Sequence, residues 1–85
     1  MKTRSLTLRF FAGARDAVGL PSLTADFGPE LQTIRDLMEW LGHRYPLFGE
    51  VAGRLLIARN LKYTNPDAPL ADGDEIAFFP PVSGG

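Results

Sequence analysis

The sequence predicts an α+β fold, a mixed β-sheet covered on one face by a single main helix. Three observations predict it. Residues alternate over 3–11 and again over 22–27, one stripe of helical period follows, and Gly- and Pro-marked turns join the elements without a linker or internal repeat. A single helix cannot enclose a core by itself, so its apolar stripe must lie across the sheet. Eighty-five residues make one domain. A chain of this size buries about 60–65% of its unfolded surface, enough for a modest core but hardly for a deep catalytic pocket.

Residues 3–11 place Leu6, Leu8 and Phe10 on one face and Thr7, Arg9 and Phe11 on the other, the period of a half-buried strand. Phe11 is the apolar exception on the polar face. Gly13 and Gly19 bracket a short connector. Residues 22–27 then alternate through Leu23, Ala25 and Phe27, which predicts an antiparallel hairpin with the first strand, and Gly28-Pro29 ends it. Thr33 is the expected helix N-cap. Asp36, three residues on, completes a capping box and suits the positive end of the helix dipole.

Ile34, Leu37, Met38, Leu41 and Tyr45 fall on one helical stripe about 100° wide, with Trp40 at its edge. Pro46 closes this helix, the only one the pattern predicts, because the residue before proline is pushed out of helical geometry. Residues 48–53 read as a loop with an apolar foot and 55–61 as the third strand. Asn60 starts a turn into a short strand over 62–64. Asn65-Pro66-Asp67 and Pro69 are loop residues, Asp72-Gly73-Asp74 is a tight turn, and 75–79 is the last strand. This order best fits a β-grasp, or ubiquitin-like, roll. Residues 1–79 form the expected domain and 80–85 an extended C-terminal tail ending in Gly84-Gly85.

Composition excludes several functions. Net charge is −1 with dispersed Lys and Arg, so nucleic acid and anionic membrane are not the expected partners. With no cysteine there is no disulfide, thiolate metal site or thiol nucleophile. His43, the only histidine, lies in the last helical turn, where a histidine suits the dipole and no triad or metal cluster surrounds it. Asp72, Asp74 and Glu75 lack the alternating ligands and distal Glu of a calcium loop. Gly13-Ala14-Arg15 has too few glycines for a phosphate loop. Arg9 and Arg15 interrupt the N-terminal apolar run, so no secretory signal or transmembrane span is expected, and the expected compartment is the cytoplasm.

The chemistry concentrates in the tail. Phe79-Pro80-Pro81 should leave the sheet in an extended, polyproline-like course. From Pro80 the chain reaches at most about 20 Å, at about 3.3 Å per residue. Val82 and Ser83 are small and Gly84-Gly85 narrower still, so a stiff base carries a tip slender enough to thread a channel. A carboxylate is a poor electrophile until AMP is transferred onto it, and this chain has no nucleotide motif. ATP and magnesium would therefore belong to a separate activating enzyme, with no cofactor bound here. The activated glycine can accept an amine or a sulfur. In the second case the lack of cysteine removes any competing thiol.

Three stretches carry a resemblance to a known family. They are Arg9-Phe10-Phe11-Ala12-Gly13-Ala14-Arg15-Asp16, residues 55–60 ending in Asn60, and the run from Pro69 through Asp72-Gly73-Asp74-Glu75 and Phe78-Phe79-Pro80-Pro81 to Val82-Ser83-Gly84-Gly85. Together they resemble the MoaD/ThiS sulfur carriers, in particular the small subunit of molybdopterin synthase. The resemblance implies a β-grasp fold and a thiocarboxylate on Gly85, formed after adenylation by a MoeB-like enzyme. It also implies a MoaE-like large synthase subunit, holding the catalytic pocket, that receives the tail and builds the dithiolene of molybdopterin from cyclic pyranopterin monophosphate.

At matching positions, Phe11, Arg15 and Phe79 resemble the family's docking residues. Tyr63 stands where the family often has an exposed aliphatic, and Arg59 where a small apolar residue is commoner. Two alternatives stay open: a carrier for thiamine or another thiolation pathway, and a ubiquitin-like interaction module whose end is never activated. The long signature from Asp72 to Pro81 speaks against the thiamine carriers, which are usually shorter and lack Phe-Pro-Pro.

Overall fold

A computed structural model describes residues 3–81. Its strands are β1 (Arg4–Phe10), β2 (Ser22–Phe27), β3 (Leu56–Arg59), β4 (Lys62–Thr64) and β5 (Glu75–Phe79). They form one sheet in the order β2-β1-β5-β3-β4. β1 and β5 run parallel, and the other neighbours are antiparallel. The main helix, α2 (Ile34–Arg44), lies over the core face. This is the β-grasp roll, with β5 as its central strand.

Alternation decides which side chains are enclosed. Leu6, Leu8 and Phe10 of β1, Ile76 and Phe78 of β5, and Ile57 of β3 meet Ile34, Leu37 and Leu41 of α2 in one core. Phe10 stacks on Phe78 at 5.9 Å, and Phe48 meets Phe78 edge-on at 5.3 Å. Met38 and Tyr45 border this core, and Trp40 packs edge-on against Phe27 at 4.9 Å.

The capping box forms as expected. Thr33 Oγ1 accepts from the Asp36 N–H, and the Asp36 carboxylate accepts from the N–H groups of Thr33 and Gln32. The Gln32 bond, followed by the Thr33 bond, holds the Asp36 carboxyl below its usual pKa.

Two short helices correct the expectation of a single helix. α1 (Gly13–Val18) replaces the connector and buries Ala14 and Val18, one turn apart. α3 (Pro46–Val51) follows α2 almost without interruption. Tyr45 leaves helical geometry at φ −128°, as a residue before proline should, but Pro46 then occupies the first position of α3, where a missing N–H costs nothing. Phe48 is the apolar foot of the expected loop, fully buried and carried on α3, and a 3-10 turn (Ala52–Arg54) leads into β3. No helix among the described residues is long and apolar enough to cross a membrane.

Candidate functional site: the open sheet face around the end of β5

The residues that alternate away from the core form the open face of the sheet. Across β3 and β5, Leu56 is the register partner of Phe79 and Ala58 of Ala77, while Tyr63 of β4 lies across from Ala58. These five side chains make an apolar patch. Tyr63 is 77% exposed and Leu56 39% exposed, and the Phe79 ring, half-buried, leans on Tyr63 at 5.8 Å and 52°. Phe79 therefore does not cap the core. Its neighbour Phe78 fills that position, fully buried on the other face. Toward β1 the face becomes polar, with Arg9 and Glu75 in an ion pair at 2.5 Å.

Phe11 and Arg15 lie beside the end of β5. The Phe11 N–H donates to the Phe78 carbonyl at 3.1 Å, and half of Phe11 is exposed. Ala12 then turns the chain sharply into α1 at φ 49°, a left-handed value uncommon for a residue with a Cβ. Arg15 lies exposed on α1. Phe11 thus lies beside the end of β5, where Phe79 leans on Tyr63 across β3. Pro80 is half-buried and Pro81 exposed. Val82, Ser83, Gly84 and Gly85 lie outside the described residues.

A polar lock holds the opposite end of β5. Asp74, only 5% exposed, accepts from the Ala71 N–H at 2.8 Å and from Asn60 Nδ2 at 2.9 Å, and pairs with Arg59 at 3.3 Å. Asn60 also accepts from the Glu75 N–H at 2.9 Å and donates its own N–H to the Glu75 carbonyl at 2.8 Å. Asp72 accepts from the Ser5 N–H at 2.7 Å. Asp72 and Asp74 therefore anchor the turn into β5, and among the described residues no cluster of potential metal ligands occurs. Sequence reasoning treated Arg59, Asn60 and Asp74 separately. Their joint role follows from the β3–β5 pairing, which local spacing does not reveal.

His43 is exposed and lines an open cleft of about 850 Å³ between α2 and the β3–β4 edge, with Met38, Gly42, Leu55 and Ile57. The cleft does not gather the residues expected from the sequence, apart from Tyr63 on its rim.

Comparison with known proteins agrees with this architecture. Residues 8–85 match the model of the ThiS family. The chain is 45% identical over 78 residues to the molybdopterin synthase sulfur carrier subunit of Escherichia coli (strain K12), covering 89% of this chain and 94% of that one. It superposes with TM-score 0.80 and 30% identity on the putative molybdopterin converting factor subunit 1 of Pyrococcus furiosus, covering 93% and 99% of the two chains. It is also similar, with TM-score 0.67 and 27% identity over 95% of this chain and 99% of the other, to a chain in the protein–protein complex of subunits 1 and 2 of the Helicobacter pylori 26695 molybdopterin-converting factor.

Proposed function

The chain belongs to the ThiS family, and from that premise we propose that it is the sulfur-carrier small subunit of a molybdopterin synthase. The observation that carries this reading is the apolar patch of Leu56, Tyr63 and Phe79, with Phe11 beside it, at the root of the tail. Apolar area gathered in that way favours covering by a partner. β5 is paired on both sides, so the root of the tail is held rigidly while the patch is pressed against the receiving protein. The relative of known assembly, in complex with its subunit 2, supports a large-subunit partner.

The proposed chemistry takes place at Gly85, with Gly84 giving the tip its narrow profile. The Gly85 carboxylate attacks the α-phosphorus of ATP on a separate activating enzyme, forming an acyl-adenylate and releasing pyrophosphate. Sulfide from a separate sulfur donor then attacks the acyl carbon and displaces AMP, leaving a thiocarboxylate. Val82 and Ser83 carry it into the large subunit, where sulfur passes to cyclic pyranopterin monophosphate. A dithiolene needs two sulfurs, so two loaded carriers serve each product. ATP and magnesium act on the activating enzyme, this chain binds no cofactor of its own, and the setting is the cytoplasm.

The test is reconstitution. Loaded protein, the cognate large subunit and cyclic pyranopterin monophosphate should yield molybdopterin. If the loaded chain binds the large subunit and no product forms, the proposal is wrong.

A further inference from the structure

The docking patch and the tail belong to different strands. Leu56 lies on β3 and Tyr63 on β4, whereas β5 contributes Phe79 and runs on into the tail. Where the tail sits relative to the patch therefore depends on the β3–β5 register, which pairs Leu56 with Phe79 and Arg59 with Ile76. Alternation fixes that register only in part. A slip of one residue would turn Ile76 and Phe78 out of the core. A slip of two keeps every side chain on its own face and moves the tail by about 7 Å.

The start of β5 carries the contacts that oppose such a slip. Asn60, which follows β3, donates its N–H to the Glu75 carbonyl, accepts from the Glu75 N–H through Oδ1 and donates through Nδ2 to Asp74. Asp74 continues the core-side row of Ile76 and Phe78. Drawing β5 toward the tail would strip its bonds and pull its carboxylate into the fully buried place of Ile76. Arg59 also reaches Asp74, at 3.3 Å, but from a longer and more compliant stem. On the β1 side, the Thr7 N–H donates to the Asp74 carbonyl at 3.0 Å and the Gly73 N–H to the Ser5 carbonyl at 2.8 Å. Resting on the function given above, we propose that Asn60 is a positioning residue for sulfur transfer: its side chain stops β5 against β3 and so sets how far the tail reaches from the docked patch. Asn60 lies about 13 Å along β5 from Phe79, outside the patch, so its effect falls on transfer and not on affinity.

Asn60→Gly isolates the side chain. Glycine adopts the φ of 52° freely and keeps the main-chain bond to Glu75, so only the bonds through Oδ1 and Nδ2 are lost. Affinity of the variant for the purified large subunit, measured by calorimetry, should stay within about twofold of the parent. Loaded carrier is then mixed with saturating large subunit and cyclic pyranopterin monophosphate, and loss of the thiocarboxylate is followed by mass in a single turnover. The rate should fall at least about tenfold, because a misplacement of about 1 Å can cost about a hundredfold. Trp40→Ala is the control for stability alone. It removes packing on Phe27 at the β2 edge, so it should melt lower than the parent and still transfer at the parental rate. Parental transfer by Asn60→Gly would refute the positioning role and leave the proposed function standing, whereas a loaded parent that binds but transfers no sulfur would sink both. Equal losses of affinity and transfer in Asn60→Gly, a matching transfer loss in Trp40→Ala, or an Asn60→Gly protein unfolded at the assay temperature would make Asn60 a fold residue and overturn the inference.

Discussion

Phe78 and Phe79 are adjacent in sequence and face opposite sides of the central strand, so truncating each in turn separates fold from docking. Phe78 is fully enclosed, stacked on Phe10 and edge-on to Phe48. Phe78→Ala should cost about 3–5 kcal/mol of stability. At about 4–8 °C per kcal/mol for a domain of this size, melting should fall by at least about 12 °C. Phe79 is half-buried and has one aromatic neighbour, Tyr63 at 5.8 Å. Losing that pair should cost about 1 kcal/mol, or about 4–8 °C. Binding should respond in the other order. An aromatic at the centre of an interface is worth about 2 kcal/mol or more, roughly a thirtyfold loss of affinity. Thermal unfolding and titration calorimetry against the large subunit measure the two effects separately. A Phe79→Ala protein that melts as low as Phe78→Ala, or that binds the large subunit as the parent does, would refute the assignment of Phe79 to docking.

Asn60→Ala should destabilise by about 1–3 kcal/mol, because the Glu75 N–H loses its acceptor, Asp74 loses a donor and alanine is strained at φ 52°; denaturant melts will measure it. The Asp36 carboxyl titrates below its usual range, so its contribution is complete above the unfolded pKa and is lost as pH falls through the lower folded value. The stability gap between the parent and Asp36→Asn should therefore be present at neutral pH and close in strong acid, and a gap that persists there would count against the charge. Deleting Gly85 or adding one residue after it should abolish sulfur transfer and leave the melting curve unchanged, as transfer assays and calorimetry on the same samples can establish.

The strands and the main helix were legible because their signals are local. Period-2 alternation marks β1 and β2, and Thr33 with Asp36 marks the start of α2. The short helices were not. α1 offers only Ala14 and Val18 as an apolar pair, and six residues give periodicity little to act on. At α3, Pro46 has two readings, a stop for one helix and a start for the next, and the buried Phe48 was the clue that the chain keeps turning against the core. Within the site, Phe11 stood out as an apolar residue on a polar face. Leu56 did not, because its exposure depends on lying opposite Phe79 across two strands distant in sequence. The left-handed backbone of Leu61 was hidden as well, since Asn60 announces a turn but not the conformation of its second residue.

The central claim concerns one atom of Gly85, and intact-mass analysis with sequencing of the C-terminal peptide measures it most directly. Protein incubated with the cognate activating enzyme, ATP, magnesium and a sulfur donor should show one oxygen replaced by sulfur, located on Gly85 and absent when ATP is omitted. An unchanged C-terminal mass under those conditions, with the activating enzyme competent on its own established substrate, would contradict the account.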